Sequence, residues 1–315
     1  MKAAVGGWGV ALPEARLTNA DLERRLDTDD QWIRERTGIA ERRIAAANES
    51  TATLAGDAAA AAMKHADLTP EDVHLLVVAT ATPDQPLPET SSFVADRLGL
   101  RCGAFDVGAA CAGFVYAMVV GASLLESGGL GAVVVVGAET LSRIVDPEDR
   151  TTAVLFGDAA AAVALVPGQG SEGALLAWDL GCDGSAARFL EIPRGERYLR
   201  MEGREVFRRA VRVVVDSSIA VLGRAGVTVD DVDLFVPHQA NARMIEAIAD
   251  RLGIPAEKVM TNIERYGNTS AASIPLALAE AADGGRLHDG DVVLLSGFGA
   301  GMTWASALLR WKTPS

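Results

Sequence analysis

The residues best suited to chemistry in this 315-residue sequence are a cysteine, a histidine and an asparagine that lie far apart along the chain. Cys111 opens a stretch of apolar and small residues, which predicts a buried helix with the thiol at its N-terminal end. Unpaired N–H groups and the positive end of the helix dipole favour a thiolate, which is nucleophilic. The alternative is that Cys111 is a small core residue, as most buried free cysteines are.

His238 and Asn268 occur where loops adjoin predicted core elements. His238, in the motif VPHQAN, follows an apolar strand at residues 232–236, and side chains at strand ends commonly bind ligands in α/β sheets. Asn268, in RYGNTSAAS, precedes a second run of small residues, where an asparagine is more often only a helix N-cap. Together with Cys111, these residues suit acyl transfer through a thiolate, followed by chemistry at a second thioester carbonyl.

A glycine-rich turn follows another predicted strand. The sequence GFGAGMTW begins at Gly297, and backbone N–H groups in such a turn can point at a ligand oxygen. The turn has neither a G-x-G-x-x-G pattern nor a Walker lysine, so a nucleotide-phosphate loop is not predicted.

Composition and charge exclude several classes of protein. With 49% hydrophobic and 23% charged residues, the chain is typical of globular proteins, and its net charge of −13 disfavours nonspecific binding to nucleic acid or anionic membranes. Its three cysteines show no C-x-x-C spacing, which indicates neither a disulfide framework nor a zinc site. The N-terminus is unlike a signal peptide or a membrane span. We therefore expect a cytoplasmic protein with no nucleic-acid or membrane partner.

The predicted elements alternate between helices and continuous apolar strands, which is typical of an α/β sheet covered on both faces. Their pattern also repeats: residues 56–75 match 215–234 without a gap, and residues 132–137 fall on 292–297. This repeat predicts two related halves, residues 1–166 with the cysteine and residues 167–315 with the histidine and asparagine. On this register Cys111 corresponds to Ala271, so two central helices would pack together with converging N-termini.

A polar segment near the N-terminus has two interpretations. Residues 19–38 carry Trp32 among several arginines, and an exposed indole beside Arg34 and Arg36 could stack on a base and hold phosphates. The plainer interpretation is a solvated helix.

The sequence resembles the β-ketoacyl-acyl carrier protein synthase III family, the initiating condensing enzymes of type II fatty-acid synthesis within the thiolase superfamily. The resemblance spans essentially the whole chain and is carried by the motifs TDDQWIRERTGI, DVGAACAGFVYA, DPEDRTTAVLFGDAAAAVAL, VPHQANARMI, RYGNTSAAS and GFGAGMTWASALL. It implies a thiolase-like five-layered αβαβα fold, a homodimer and no metal or redox cofactor. The implied substrates are an acyl-CoA and malonyl-acyl carrier protein.

The resemblance also implies a role for each matched residue. Cys111 would carry the acyl group, the oxyanion being held by the backbone N–H groups of Cys111 and Ala300, while His238 and Asn268 engage the malonyl thioester. Arg243 falls where the family docks the acidic carrier protein. The positions that grip coenzyme A are Thr28, Trp32, Arg36, Arg150, Thr151, Met201, Phe207 and Asn241, with adenine between Trp32 and Arg150. The acyl pocket would be lined by Leu141, Phe156 and, from the other subunit, Leu87.

Four positions depart from the commonest family pattern. Ala159, Ala161 and Ala300 stand where glycine is frequent, and a methyl group is tolerated there if φ is negative. Leu87 stands where some members have phenylalanine, and this smaller cap predicts a pocket that admits branched or longer primers.

Two other functions are compatible with this pattern to different degrees. One is a pathway-specific relative that primes a polyketide or transfers acyl groups without elongation. The other is a nonenzymatic partner subunit of a condensing complex, which would have no need of a thiolate; the presence of Cys111, His238 and Asn268 together argues against it.

Overall fold

The structure is a computed structural model, which describes residues 2–168 and 175–312. The strands are β1 (Lys2–Ala11), β2 (Arg16–Thr18), β3 (Glu41–Arg43), β4 (Val73–Ala79), β5 (Gly103–Val107), β6 (Ala132–Thr140), β7 (Asp158–Gly168), β8 (Leu175–Cys182), β9 (Leu190–Glu191), β10 (Arg200–Met201), β11 (Leu234–Pro237), β12 (Val292–Gly299) and β13 (Thr303–Arg310). The helices are α1 (Asn19–Glu23), α2 (Asp30–Thr37), α3 (Thr51–His65), α4 (Thr90–Leu98), α5 (Gly113–Glu126), α6 (Arg150–Ala153), α7 (Gly203–Ala225), α8 (Ala242–Leu252), α9 (Ile263–Tyr266) and α10 (Ser273–Asp283).

The two large sheets have the same topology. The first has the order β1-β7-β6-β4-β5, and the second has the order β8-β13-β12-β11. In the first, β6 pairs in parallel with β4 and antiparallel with β7; in the second, β12 pairs in parallel with β11 and antiparallel with β13. A parallel bridge between Phe235 and Val259 extends the second sheet where β5 extends the first. The sheets are topological copies, as the sequence repeat predicts.

The helices arrange these sheets into five layers. Helices α5 and α10 pack between the two sheets and share one apolar core with both. Helices α3 and α4 cover the outer face of the first sheet, and α7 and α8 cover the outer face of the second. The predicted αβαβα architecture is therefore confirmed.

Helix α5 is buried because its sequence has no polar face. From Gly113 to Leu125 it carries no charged residue, and a helix that is apolar all round belongs inside a core. Gly121 allows a close helix–sheet approach, since a Cβ there would lie 3.0 Å from a methyl group of Val133. Within residues 2–168 and 175–312, no helix is long and apolar enough to span a membrane.

Candidate active site

Cys111 lies in a short 3₁₀ turn, Ala110–Ala112, directly before the first α-helical residue, Gly113. Its side chain is only 8% exposed. The preceding residue, Ala110, has a φ of 45°, a left-handed conformation that is uncommon for residues with a side chain. The thiol thus opens the buried helix as predicted, although the α-helix itself begins two residues later.

The second half of the chain contains a matching turn. The 3₁₀ turn Ser270–Ala272 precedes α10, and Ser270 has a φ of 47°, almost the value at Ala110. The two turns adjoin, since a Cβ built on Gly113 would lie 3.9 Å from the Cβ of Ala271. The predicted convergence of the two helix N-termini is confirmed.

His238 lies at the end of β11, where its backbone N–H donates to Ser296 O at 2.8 Å. Its Nδ1 lies 2.6 Å from Ser273 Oγ, which also accepts a hydrogen bond from the backbone N–H of Gln239 at 3.4 Å. Ser273 Oγ can therefore accept from Gln239 and donate its own proton to Nδ1. In the tautomer with this donation, the ring proton lies on Nε2.

The Nε2 atom of His238 is buried and has no hydrogen-bond partner among the described residues. Buried polar groups are rarely left unpaired, so an unpartnered donor indicates a place for a substrate acceptor. Burial also lowers the pKa of His238 to about 3, because the charged ring cannot be solvated there. The imidazole is therefore neutral at physiological pH.

Asn268 is fixed at both its backbone and its side chain. Its N–H donates to Leu155 O at 2.8 Å, and its carbonyl accepts from Gly157 N at 3.0 Å. Its side-chain Oδ1 accepts from the N–H of Ser270 at 2.9 Å. The carboxamide oxygen is thus occupied, which leaves the NH₂ group as its available donor.

The glycine-rich turn packs against the backbone of the cysteine turn. A Cβ built on Gly299 would lie 2.6 Å from Cys111 N, so only glycine fits at that position. The turn begins later than predicted, because β12 continues through Gly299 and the turn itself is Ala300–Met302. Within β12, a Cβ on Gly297 would lie 3.5 Å from both Cys111 O and the Cβ of His238, so all three residues lie close together. Ala300, which follows Gly299, is not among the described residues with positive φ, so its methyl group is tolerated.

Burial dominates the ionisation of Cys111. It raises the pKa of the thiol to about 12; the nearby Ser270 hydroxyl opposes this shift and the charge of Glu139 adds to it. The thiol is therefore protonated at neutral pH. Burial outweighs the stabilisation of a thiolate that was expected from the helix end.

Two arginine side chains contact the Trp32 ring at the expected adenine site. The guanidinium groups of Arg36 and Arg150 each lie 4.8 Å from the centre of the Trp32 ring, and Arg150 Nη1 donates to Asp27 O at 2.6 Å. An aromatic ring needs about 3.5 Å of contact distance on each face. A base can therefore enter between Trp32 and Arg150 only if Arg150 moves away.

Of the other residues matched to coenzyme A, Asn241 contacts this stack directly. Asn241 caps α8 and donates its Nδ2 to Arg36 O at 2.9 Å, which joins α8 to α2. Thr28 Oγ1 is buried without a hydrogen-bond partner among the described residues, whereas the Thr151 hydroxyl is held by Asp149. Phe207 is exposed on α7.

The expected acyl-pocket walls lie beside the coenzyme A residues. Leu141 and Phe156 are buried in an apolar cluster against which Trp32 and Met201 pack. Leu87 lies elsewhere, with a side chain 73% exposed in the loop before α4. The cap role implied for Leu87 stays a prediction, since it requires a second subunit.

Arg243 is exposed in the first turn of α8, and its side chain forms no ion pair with any described residue. It is therefore available to an acidic partner.

Ala159 and Ala161 are fully buried in β7, where extended backbone accepts their methyl groups.

Sequence reasoning missed three polar residues of the site: Glu139, Ser270 and Ser273. Glu139 is a single acidic residue in the otherwise apolar run AVVVVGAET, a signal that could have identified it. The two serines lie in GNTSAAS, where small residues suggested only close packing.

Across residues 2–168 and 175–312, no group of three or more His, Cys, Asp or Glu is arranged to hold a metal ion.

Comparisons with known proteins agree with this geometry. Two family models match, "3-Oxoacyl-[acyl-carrier-protein (ACP)] synthase III" over residues 105–184 and its C-terminal counterpart over residues 222–311. Proteins named beta-ketoacyl-[acyl-carrier-protein] synthase III from Geobacillus kaustophilus and Listeria monocytogenes are 48% and 49% identical over 99% of both chains.

Solved structures show the same similarity in three dimensions. The 3-oxoacyl-[acyl-carrier-protein] synthase III of Aquifex aeolicus VF5 has a TM-score of 0.96 and 45% identity, covering 98% of this chain and 100% of that one. The priming beta-ketosynthase of the R1128 polyketide biosynthetic pathway has a TM-score of 0.94 and 37% identity, covering 99% and 97%.

Proposed function

Because the chain belongs to the 3-oxoacyl-[acyl-carrier-protein] synthase III family, we propose that Cys111, His238 and Asn268 divide the steps of that family's condensation between them. The chain is an acyltransferase that performs the initiating condensation of fatty-acid synthesis. Its substrates under this proposal are a short acyl-CoA primer and malonyl-acyl carrier protein. The reaction requires no metal or redox cofactor.

In the first step, Cys111 Sγ attacks the thioester carbonyl of the acyl-CoA. The carbonyl oxygen becomes an oxyanion, which accepts hydrogen bonds from the backbone N–H groups of Cys111 and Ala300. The close packing of Gly299 on Cys111 N supports this assignment, because it brings the two backbone segments side by side. Collapse of the intermediate releases coenzyme A and leaves an acyl thioester on Cys111.

In the second step, the malonyl thioester carbonyl accepts hydrogen bonds from His238 Nε2 and the NH₂ group of Asn268. These donors stabilise the enolate that forms when carbon dioxide leaves. The enolate carbon attacks the acyl carbonyl, the bond to Cys111 Sγ breaks, and 3-oxoacyl-acyl carrier protein forms. Loss of carbon dioxide makes the condensation effectively irreversible.

The observation that carries this proposal is the buried, unpartnered Nε2 of a neutral His238 beside the cysteine turn. A histidine kept neutral and protonated on Nε2 is a hydrogen-bond donor for a carbonyl rather than a general base.

Intact-mass measurement tests the two steps in order. The protein is incubated with a panel of acyl-CoAs and then with malonyl-acyl carrier protein, with Cys111→Ala as the control. We expect an acyl adduct that is absent from the control and disappears as the 3-oxoacyl product forms. An adduct that never condenses would instead indicate a non-elongating acyltransferase.

The coenzyme A site proposed here comprises Thr28, Trp32, Arg36, Arg150, Thr151, Met201, Phe207 and Asn241. The available guanidinium of Arg243 supports its role in docking the acidic carrier protein, because opposite charges steer association. A homodimer is proposed in which Leu87 caps the partner's acyl pocket beside Leu141 and Phe156; its exposure in one chain supports this. Three free cysteines support a reducing, cytoplasmic location.

Polyketide priming is the second candidate for the same chemistry. It is favoured by the similarity to the R1128 priming ketosynthase, although that identity, 37%, is below the 48% shared with the Geobacillus kaustophilus protein. Comparing condensation rates on carrier proteins from fatty-acid and polyketide pathways distinguishes the two.

A further inference from the structure

A buried carboxylate lies beside the site, and the proposed steps do not use it. Glu139, near the end of β6, is fully buried. No Lys, Arg or His among the described residues forms an ion pair with it. Its hydrogen-bond donors are Thr82 Oγ1 at 2.6 Å, Ser270 Oγ at 2.9 Å, Ala81 N at 3.1 Å, Thr80 Oγ1 at 3.3 Å and Ala271 N at 3.5 Å. Burying a carboxyl group without a cation is costly, so its presence needs an explanation.

Ser270 connects this carboxylate to the nucleophile. Its hydroxyl donates to Glu139 Oε1 at 2.9 Å, and the same hydroxyl is near enough to the Cys111 side chain to lower the pKa of the thiol. A serine hydroxyl has one proton and can donate to only one of these neighbours at a time, while accepting from the other. When it donates to Glu139 it can accept from the Cys111 thiol, and when Glu139 is protonated it can donate to a Cys111 thiolate. The two arrangements differ by the transfer of one proton from sulfur to carboxylate.

We propose that Glu139 accepts the Cys111 thiol proton through Ser270 during acyl transfer, which extends the role proposed above for Cys111 as the nucleophile. As the bond between Cys111 Sγ and the thioester carbon forms, the thiol proton passes to Ser270 and the Ser270 proton passes to Glu139. When the bond from that carbon to the coenzyme A sulfur breaks, the proton returns through Ser270 to the departing thiolate. Glu139 ends the step ionised, and the products are acyl-Cys111 and coenzyme A with its thiol restored.

The electrostatics of the pair are consistent with one shared proton. Burial raises the pKa of Glu139, which makes this carboxylate a stronger base than an exposed one. Burial also raises the pKa of the Cys111 thiol, and the charge of Glu139 raises it further, so ionising both groups together is disfavoured. The ionisation of Cys111 is therefore disfavoured while Glu139 is charged.

His238 is not positioned for the same task. Its Nδ1 is occupied by Ser273 at 2.6 Å, and its Nε2 makes no hydrogen bond to Cys111 or to any other described residue. Lys64 is exposed on α3. The acidic and histidine side chains on the elements packed against β6 have other partners: Asp158 with Ser142, Glu280 with Arg265, Asp283 with Trp8, Glu126 with Lys2, Asp57 with Arg97, His65 with Trp8 and His74 with Gly131.

The test is the pH dependence of Cys111 alkylation by iodoacetamide, followed by peptide mass spectrometry. While the pair holds one proton, the fraction present as thiolate with protonated Glu139 is independent of pH. We therefore expect a plateau in the wild-type alkylation rate over the pH range in which the pair holds one proton. In Glu139→Gln no acceptor remains, so the rate should rise about tenfold for each pH unit through the same range, without a plateau.

Ser270→Ala is the second variant, because it interrupts the connection without removing a charge. It should lose the plateau as Glu139→Gln does, and it carries the test if Glu139→Gln fails to fold. Glu126→Gln is the matched control, since it makes the same chemical change at the far end of α5 and should keep the plateau. Exposed Cys182 is the internal control for reagent and pH in every sample.

Three outcomes would overturn the inference. Glu139→Gln could keep the plateau. Both proteins could instead show a simple tenfold slope, which would make Glu139 only a source of negative charge. His238→Ala could abolish the plateau while Glu139→Gln keeps it, which would make His238 the acceptor. Because alkylation needs no acyl substrate, a protein with the plateau but no acyl transfer would refute the proposed function and leave this inference intact.

Discussion

Replacing Asn268 separates the two proposed steps. Asn268→Ala removes one of two donors to the malonyl thioester carbonyl, and its NH₂ group is held in place because Oδ1 is fixed by the Ser270 N–H at 2.9 Å. Loss of one such prearranged donor typically costs about 2.7–4 kcal/mol, which is about 100- to 1,000-fold in rate. We expect condensation to fall by this factor. Acylation of Cys111 should fall far less, because the oxyanion of that step is bound elsewhere.

Asn268→Asp distinguishes the lost donor from structural damage. Alanine also leaves the buried Ser270 N–H without its acceptor, which costs about 1–3 kcal/mol of folding stability. Aspartate keeps an oxygen for Ser270 but has no NH₂ group. Condensation should therefore fall in both variants. Chemical denaturation of each variant measures the stability lost, because the carboxyl group buried in Asn268→Asp also costs folding free energy.

The assay follows each step separately by rapid quench. Acyl-Cys111 is counted by intact mass after mixing with acyl-CoA, and the pre-acylated protein is then mixed with malonyl-acyl carrier protein. Asn262→Ala, which removes an amide bonded to Glu280, is the control outside the site. Equal losses in acylation and condensation for Asn268→Asp would refute this division of roles.

Three further predictions address pH, primer and carrier protein. Because the pKa of His238 is about 3 in the folded chain and about 6.5 when unfolded, the unfolded state binds the proton first. The unfolding free energy should thus fall as pH drops below about 6.5, by at most about 1.4 kcal/mol per pH unit from this group, and His238→Gln should remove that component in chemical denaturation. Leu87→Phe should shift acyl-CoA preference toward shorter, unbranched primers, and an unchanged preference would reject the cap role. Arg243→Ala should raise KM for malonyl-acyl carrier protein several-fold and weaken its salt dependence without changing KM for acyl-CoA; an equal rise in both would reject docking at this position.

Much of the fold could be predicted from local pattern. The apolar run at Val73–Ala79 matches β4 in full. A strand buried on both faces is recognisable from its continuous apolar sequence, without knowing which strands it pairs with. The strand predicted over residues 132–136 extends to Thr140. Its last residues include Glu139, whose carboxylate interrupts the apolar sequence pattern although the residue belongs to the strand. The prediction therefore ended the strand too early.

The remainder depends on contacts between distant residues. Ser270 and Glu139 are 131 residues apart, so nothing near either one reveals their hydrogen bond. Alanine and serine do not favour positive φ, so the bends at Ala110 and Ser270 follow from the packed turns rather than from residue type. The direction of the Cys111 pKa likewise follows from complete burial, which outweighs the helix-end effect expected from sequence.

The site combines residues from both halves of the chain, and this affects when it forms during translation. A ribosome delivers Cys111 well before Ser270, His238 and Asn268 exist, since domains generally emerge and fold from the N-terminus. A nascent chain that has completed only β1 to β7 therefore holds Cys111 and Glu139, but it lacks Ser270 and both proposed donors to the malonyl thioester carbonyl. The complete set of reacting groups is present only after the second sheet has been made and has folded against the first.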